Sequence, residues 1–313
     1  MNPWYRSVAH YLALRRGLGF KLKHYQVWLR EFVAFLHRHR ASRITTAWAV
    51  KFATQHPTHA PKTMAARYSV VRGFARYRRG IDPKSEIPPS GVVRGGAGRA
   101  KPYLYTDEEI RRLLRTTREL PSAYELRPWT YYCLFGLLVV TGMRVSEALN
   151  LYRDDIDGVE GWLTIRKTKF GKSRLVPLHA STVKVLAQFA RRRDRFFTER
   201  RRQPGPYFFS TRSGARLHDA DVRQVFAQVS RSIGIRGAEA SHGPRLHDFR
   251  HRFAVETLLR WYDDGQPVDR RLPILSTYLG HVRVTDTYWY LHGHPKLMAA
   301  VVARVERRWK GLR

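Results

Sequence analysis

The sequence contains a single cysteine, Cys133, among its 313 residues. One thiol cannot form an intramolecular disulfide, so a disulfide-stabilised secreted scaffold is excluded and a reducing compartment fits. The apolar run YYCLFGLLVV around this cysteine is too short to span a bilayer, and the N-terminal residues lack a signal-peptide pattern. We therefore expect an intracellular protein without a membrane anchor.

Acidic residues are also scarce. The chain has 25 Asp and Glu against 58 Lys and Arg, which gives a formal net charge of +33. Residues 1–100 are the most basic part, with 19 basic and only 3 acidic residues. Such an excess repels itself unless a polyanion offsets it, and the usual polyanion is nucleic acid. Binding to a membrane surface is the weaker interpretation, because the sequence shows neither a basic amphipathic anchor nor a lipidation signal.

The pattern of apolar residues predicts two domains joined by a linker. Residues 1–82 show helical spacing and predict a small basic bundle of about four helices. Residues 83–102 are rich in Pro and Gly, have no apolar period and predict a linker. Residues 103–313 predict a second, mostly helical domain, which begins with a capping box formed by Thr106 and Glu109.

Two features stand out within the second domain. The segment WTYYCLFGLLVV is apolar on all sides and predicts a buried helix that ends at Thr141 and Gly142. The segments GWLTIRKTK and SRLVPLH alternate in polarity and predict a β-hairpin around the tip FGK. The chain shows no P-loop and no parallel βαβ pattern. The expected fold class is therefore mainly α, of the α+β kind, with a small antiparallel sheet.

Four short stretches carry reactive groups. In TGMRVSEAL, a glycine turn precedes Arg144 and Glu147, and an arginine there can grip a phosphate with two hydrogen bonds. The hairpin tip is crowded with basic side chains that could approach a DNA backbone or donate a proton. Taken alone, the first stretch would be better explained as an ordinary surface salt bridge and the hairpin tip as a solvated charged turn. The basic residues of the hairpin are Lys167, Lys169, Lys172 and Arg174.

The other two stretches contain histidines and tyrosines. In LHDFRHRF, His247 and Arg250 are three residues apart, so on a helix they share a face. His251 lies four residues after His247, which is also a spacing of metal ligands, but no HExxH arrangement or nearby cysteine supports a metal site. The last stretch, YLGHVRVTDTYWYLHG, holds His281, Tyr288 and Tyr290.

The order of these boxes resembles the tyrosine recombinase, or phage integrase, family. The match runs from TG-x-R-x-S-E through the basic hairpin and H-x-x-R to LGH with a tyrosine nine residues later. The resemblance implies a helical, SAM-like core-binding domain at residues 1–82 and a catalytic domain of the DNA breaking-rejoining fold at residues 103–313. The implied catalytic residues are Arg144, Lys169, His247, Arg250, His281 and Tyr290.

The resemblance also assigns a role to each of these residues. Tyr290 attacks the scissile phosphodiester and forms a 3′-phosphotyrosyl link, while Tyr288 points away and packs or positions the segment. The two arginines, aided by His281, stabilise charge on the phosphoryl oxygens. His247 is the candidate to accept the tyrosine proton, and Lys169 protonates the leaving 5′-oxygen. Glu147 orients the first arginine or a neighbouring helix.

The function implied is that of a site-specific DNA recombinase that exchanges strands between two duplexes without ATP, metal or other cofactor. Three alternatives stay open: a type IB topoisomerase-like or telomere-resolving enzyme, a non-catalytic DNA-binding protein, and, most remotely, a zinc hydrolase. The expected partners are duplex DNA and, through a C-terminal helix at residues 297–309, further copies of the chain in a tetramer. Intramolecular packing explains that helix equally well, and a need for accessory DNA-bending proteins is left open.

The expected location is the cytoplasm, in association with the nucleoid of a prokaryote or as the product of a mobile element. Basic side chains on the helical lobe, the linker and the hairpin are predicted to contact DNA phosphates. These residues are Lys62, Arg67, Arg72, Arg76, Lys101, Lys167, Lys172 and Arg174.

Overall fold

The computed structural model describes residues 3–20, 22–96, 101–122, 126–166, 173–240, 242–291 and 295–310. The chain divides into two compact units, Met1–Ala100 and Lys101–Arg313. No helix in these described ranges has both the length and the hydropathy needed to cross a bilayer.

The first unit is a bundle of four helices. The helices are α1 (Pro3–Gly17), α2 (Lys23–Arg38), α3 (Thr46–Thr54) and α4 (Pro61–Arg79). Thr45 caps α3 by accepting a hydrogen bond from the backbone N–H of Trp48, and a proline at the first position starts α4. Aromatic rings fill the core, where Phe32 and Phe52 meet edge to face at 5.0 Å.

Part of the segment predicted as a linker packs against this bundle. The hydroxyl of Tyr68 donates to the carbonyl of Pro89 at 2.9 Å, and Glu86 accepts from the backbone N–H of Thr46 at 2.7 Å. Val93 packs on the core of the bundle. Residues up to 96 therefore belong to the first unit. A segment rich in Pro and Gly lacks the apolar spacing of a helix, which is why it was predicted to be a linker. Such a segment can still form hydrogen bonds with the helices beside it.

The second unit is mostly helical, as predicted. Its helices are α5 (Asp107–Arg118), α6 (Leu126–Thr141), α7 (Val145–Ala148), α8 (Ala180–Glu199), α9 (Asp219–Ser232), α10 (Leu246–Asp263), α11 (Val268–Leu279), α12 (Thr285–Leu291) and α13 (Pro295–Lys310). The predicted capping box is confirmed, because Thr106 accepts from the N–H of Glu109 and Glu109 accepts from the N–H of Thr106. The predicted buried helix is α6, which ends at Thr141 as expected.

A small sheet interrupts these helices. Its strands are β1 (Ile156–Asp157), β2 (Trp162–Ile165) and β3 (Arg174–Pro177), paired antiparallel in the order β1-β2-β3. The predicted hairpin corresponds to β2 and β3, where Leu163 pairs with Val176 and both side chains are buried. The short β1, preceded by a 3₁₀ turn at Arg153–Asp155, was not predicted.

Two apolar cores hold the second unit together. The larger surrounds α6, and the smaller joins α10 and α11 with Tyr290 of α12 and Leu297 of α13. The site of interest is built from residues at the end of α6, in β3 and in α10 to α12.

Candidate active site

A tight glycine turn brings the end of α6 against α10. Gly142 has a φ of +60°, and a β-carbon there would lie 2.7 Å from the ring of Phe253. The carbonyl of Gly142 accepts a hydrogen bond from Arg250 at 3.0 Å. Two residues later the chain reaches Arg144, which immediately precedes α7. The turn therefore places both arginines in one site.

Glu147 is a buried carboxylate that binds two arginines. One oxygen accepts from the Arg144 guanidinium at 2.8 Å and the other from the Arg144 backbone N–H at 2.9 Å. Arg174 donates to the same two oxygens at 3.1 and 2.8 Å. Burial by itself raises the pKa of Glu147, but the hydrogen bonds and charges of Arg174 and Arg144 bring that pKa below its ordinary value. The carboxylate is therefore ionised and fixes both guanidiniums.

The structure corrects the role predicted for Arg174. Its side chain is only 10% exposed and also donates to the carbonyl of Tyr278 at 2.7 Å. The guanidinium packs under Gly280, where a β-carbon would lie 2.7 Å from a nitrogen of Arg174. Arg174 is thus held between Glu147 and the end of α11 and is not a free contact for DNA. The ion pair joins Arg174 to Glu147, 27 residues earlier in the sequence, so the alternating pattern of the hairpin could not predict it.

Arg250 is almost completely buried, with 2% of its surface exposed. Its guanidinium donates to the carbonyls of Gly142 and Leu279 at 3.0 and 2.6 Å, and Tyr290 lies close enough to interact with its charge. Burial lowers the pKa of Arg250 to about 10, although the nearby Tyr290 hydroxyl raises it. The guanidinium is still charged at neutral pH and is positioned by carbonyl oxygens, which leave its positive charge unneutralised.

His281 and Tyr290 lie side by side. Gly280 ends α11 in the left-handed conformation, and its carbonyl accepts from Arg144 at 3.0 Å. The ring of His281 stacks on that of Tyr290, with centroids 5.9 Å apart and planes at 20°. Burial and the charges of Arg250 and Arg144 lower the pKa of His281 to about 4, so the imidazole is neutral at neutral pH.

The two tyrosines of the last stretch differ as the helical spacing predicted. Tyr290 is 5% exposed and belongs to the smaller core, whereas Tyr288 is 42% exposed. The packing or positioning role of Tyr288 stays a prediction, and more than half of its surface is covered.

A second histidine, His251, lies in contact with both His247 and Tyr290. The ring of His247 meets that of His251 edge to face at 4.9 Å, and His251 lies 5.3 Å from the Tyr290 ring. Desolvation and the charge of Arg250 lower the pKa of His247 below its ordinary value. From the sequence, His251 was predicted only as an improbable metal ligand. Its position one helical turn after His247 was the available signal that it faces the same site.

The described ranges contain no group of three or more His, Cys, Asp or Glu side chains arranged to hold a metal ion. His247 and His251 contact each other instead.

Apart from Arg67 and Arg174, the predicted DNA contacts fall into three groups. Lys62, Arg76 and Lys101 are exposed. Arg72 is partly buried and donates to the carbonyl of Pro88 at 2.8 Å, so one of its nitrogens is already engaged. Outside the described residues lie the hairpin lysines Lys167, Lys169 and Lys172.

The prediction for Arg67 is corrected. It is 2% exposed, pairs with Glu31 at 2.8 Å and lies 4.2 Å above the ring of Phe52. A guanidinium buried in this position is packed inside the first bundle and is not accessible to a phosphate.

Comparisons with known proteins agree with this geometry. The model of the phage integrase family matches residues 104–296. A protein of Sinorhizobium fredii (strain NBRC 101917 / NGR234), y4rB, an integrase/recombinase by name, is 51% identical over 314 residues and 99% of both chains. Tyrosine recombinase XerD of Caulobacter vibrioides is 29% identical over 243 residues, which cover 77% of this chain and 74% of XerD.

Two solved structures share the fold. XerH site-specific recombinase, bound to palindromic difH substrate in a post-cleavage complex, gives a TM-score of 0.66 at 20% identity over 90% of this chain and 79% of that one. The Tn1549 transposon integrase in complex with transposon right end DNA gives a TM-score of 0.65 at 16% identity over 96% and 98% of the two chains. The family match and the sequence relatives show that this chain belongs to the phage integrase family of tyrosine recombinases.

Proposed function

We propose that this protein is a site-specific DNA recombinase that cuts and rejoins DNA through a 3′-phosphotyrosyl intermediate, with Tyr290 as the nucleophile. The observation that carries the proposal is the position of Tyr290, which is buried and interacts electrostatically with the buried, charged Arg250. Its ring also stacks on His281, and Arg144 is held nearby by the carbonyl of Gly280. A tyrosine oxygen beside two fixed cations suits attack on a phosphodiester.

The chemistry balances without an external energy source. The Tyr290 oxygen forms a bond to phosphorus while the bond from phosphorus to the 5′-oxygen breaks. The tyrosine proton passes to a base, and the 5′-oxygen leaves as a hydroxyl after taking up a proton. Attack by a 5′-hydroxyl on the phosphotyrosine reverses these steps, so the phosphodiester energy is retained in the protein–DNA bond.

The side chains support specific roles in these steps. Arg144 and Arg250 offer guanidinium charge to the non-bridging oxygens, and Arg144 is reachable because 29% of its side chain is exposed. His247 is the proposed acceptor of the tyrosine proton, since its lowered pKa leaves it neutral and able to take up a proton at neutral pH. Lys169 is the proposed donor to the leaving oxygen, on the basis of the sequence resemblance alone.

Both units are proposed to contact DNA. Residues 1–82 form the proposed core-binding domain, and residues 103–313 the catalytic domain. Exposed Lys62 and Arg76 on α4 and exposed Lys101 are the proposed phosphate contacts, alongside the hairpin lysines. The net charge of +33 supports a DNA partner, because neutralised phosphates offset the self-repulsion of the protein.

Assembly into a tetramer on two duplexes is proposed through α13. Leu297 of this helix is buried in the smaller core, so one part of α13 packs on its own unit. Met298, Val302 and Val305 are each about half exposed, and Trp309 is 70% exposed. These positions recur at three- and four-residue steps and form an apolar face that a neighbouring copy would cover.

A trapping experiment tests the proposed function. The protein is incubated in EDTA with a library of nicked duplexes of randomised sequence, and SDS-resistant protein–DNA adducts are isolated and sequenced. We expect adducts from the wild type and from Tyr288→Phe, and none from Tyr290→Phe. Tyr288 is the matched control, because it lies on the same short helix but is exposed.

Each other outcome has a defined meaning. Adducts lost only in Tyr288→Phe would overturn the choice of nucleophile. Adducts that require a divalent metal would refute the mechanism. DNA binding without any adduct would favour the non-catalytic alternative, whereas nicking and rejoining without strand exchange would favour a topoisomerase-like enzyme.

A further inference from the structure

Thr287 makes a contact that the proposed mechanism does not yet use. It lies in α12, between His281 and Tyr290 in the sequence, and its surface is 0% exposed. Its hydroxyl oxygen is 2.8 Å from Nδ1 of His281. A buried hydroxyl at this distance from an imidazole nitrogen is a hydrogen bond, and the direction of that bond decides where the imidazole proton resides.

Other threonines in this structure indicate the direction. A helical threonine hydroxyl usually donates to the carbonyl four residues earlier, and six of them do so here: Thr54, Thr117, Thr130, Thr141, Thr257 and Thr277. Thr287 is the third residue of α12, so the corresponding carbonyl belongs to Arg283, before the helix begins. Among the described residues, its hydroxyl meets Nδ1 of His281 instead.

A buried hydroxyl proton without an acceptor costs free energy, so the Thr287 proton points to Nδ1 of His281, the acceptor that meets it within the described part of the chain. Nδ1 of His281 therefore accepts. The neutral imidazole has a single proton, which then resides on Nε2. Burial, together with the nearby charges of Arg250 and Arg144, lowers the pKa of His281 and keeps the ring neutral, so a second proton does not remove the distinction between the two nitrogens.

We propose that Thr287 is a positioning residue that fixes His281 in the tautomer protonated at Nε2, so that the ring offers a hydrogen-bond donor to a phosphoryl oxygen. The tautomer follows from the contact itself, and its use on a phosphoryl oxygen rests on the proposed function. Without the hydroxyl, the proton can move to Nδ1, and Nε2 becomes an acceptor that repels an anionic oxygen.

Nitrogen NMR of protein carrying ¹⁵N-labelled histidine tests the tautomer without DNA. The His281 signal is assigned from its loss in His281→Asn. We expect a protonated Nε2 and an unprotonated Nδ1 in the wild type and in Thr287→Ser, and a mixture of tautomers in Thr287→Val, which has nearly the same shape. The matched control is Thr285→Val, because Thr285 is exposed on the same helix.

Rates of adduct formation on a captured duplex give the second measurement. A lost hydrogen bond of ordinary strength predicts about a tenfold slower rate for Thr287→Val. The rate should be restored in Thr287→Ser and unchanged in Thr285→Val. A wild-type ring protonated at Nδ1, or a Thr287→Val variant with unchanged tautomer and rate, would overturn the proposal. If the wild type forms no adduct while the NMR result holds, the proposed function fails and the tautomer assignment stands.

Discussion

Glu147 offers the sharpest test of how the site is held together. Only 6% of its side chain is exposed, and its two oxygens accept hydrogen bonds from both Arg144 and Arg174. Replacement by alanine removes the carboxylate and leaves two guanidiniums facing each other in a desolvated space. Glu147→Gln keeps the shape and an acceptor oxygen but removes the charge.

The magnitude follows from the burial of the pair. Opposite charges about 4 Å apart interact by roughly 4 kcal/mol at an effective dielectric of about 20, and desolvation offsets part of this. Removing one partner of a buried pair nevertheless costs about 3–5 kcal/mol, because the other charge stays buried. For a unit of this size, that loss corresponds to a fall in Tm of about 10 °C. We expect the Tm of Glu147→Ala to fall by nearly this much and the Tm of Glu147→Gln to fall by less.

Urea and thermal unfolding provide the assay. The matched control is Glu108→Ala, because Glu108 forms an exposed pair with Arg111 in which both side chains are more than half exposed. Exposed pairs contribute less than about 1 kcal/mol. If Glu147→Ala costs no more than Glu108→Ala, then the carboxylate does not hold the two arginines and our account of the site is wrong.

Three further predictions follow from the described contacts. The pKa of His281 is 6.5 in the unfolded chain and about 4 in the folded protein. Below pH 6.5 the unfolded state therefore binds more protons than the folded state. The free energy of unfolding should fall by up to about 2 kcal/mol between pH 8 and pH 5. Urea titrations at several pH values check this, and His281→Asn should reduce the dependence. Gly142→Ala should lower the free energy of unfolding by more than about 2 kcal/mol, because of its positive φ and the close ring, whereas Gly136→Ala in open space should not. Lys62→Met should reduce the salt dependence of DNA binding by about one phosphate contact, and the buried Arg67→Met should leave that slope unchanged.

A different result in each case identifies the faulty step. If the free energy of unfolding does not change with pH, then the pKa of His281 is not lowered in the folded protein. Equal stability of the two glycine variants would mean that the turn tolerates a side chain. A changed salt slope in Arg67→Met, with Lys62→Met unaffected, would reverse the assignment of those two side chains.

Local patterns predicted most of the elements because their causes are local. The capping box of Thr106 needs only a residue three positions on, and the hairpin of β2 and β3 needs only alternation around a short tip. The periodicity was less reliable for single residues. Val27 shares the apolar spacing of α2 with Phe32 and Phe35 but is 53% exposed, since the width of the buried face of a helix depends on the neighbours that cover it.

Arg67 shows why charge alone misleads. It lies four residues before Val71 and seven before Phe74, both fully buried, so the helical period already placed it on the inner face. Residue type suggested a surface phosphate contact, whereas position indicated burial. An arginine can occupy such a place because its long side chain covers an aromatic ring and reaches a half-exposed carboxylate, Glu31.

The pairing of Glu147 with Arg174, and of His281 with Thr287, depends on how separate elements meet. Nothing in the hairpin sequence indicates that its arginine lies against the end of α11, because that contact requires the glycine at position 280 to leave space. Thr287 is six residues from His281, a separation at which a helix would not bring two side chains together. The turn between α11 and α12 brings the two side chains together, and a periodic pattern of apolar residues cannot predict the geometry of such a turn.

The charge balance of the site explains why Arg250 is held by backbone oxygens and Arg144 by one carboxylate oxygen and one carbonyl. Glu147 is the carboxylate that contacts Arg144 and Arg174, and it cannot neutralise Arg250 as well. Carbonyls of Gly142, Leu279 and Gly280 fix the guanidiniums through their dipoles without adding negative charge. A second carboxylate would position them equally well but would compete with a phosphate. The site therefore keeps positive charge in a water-poor space, where an anionic oxygen that enters gains more than it would in bulk solvent.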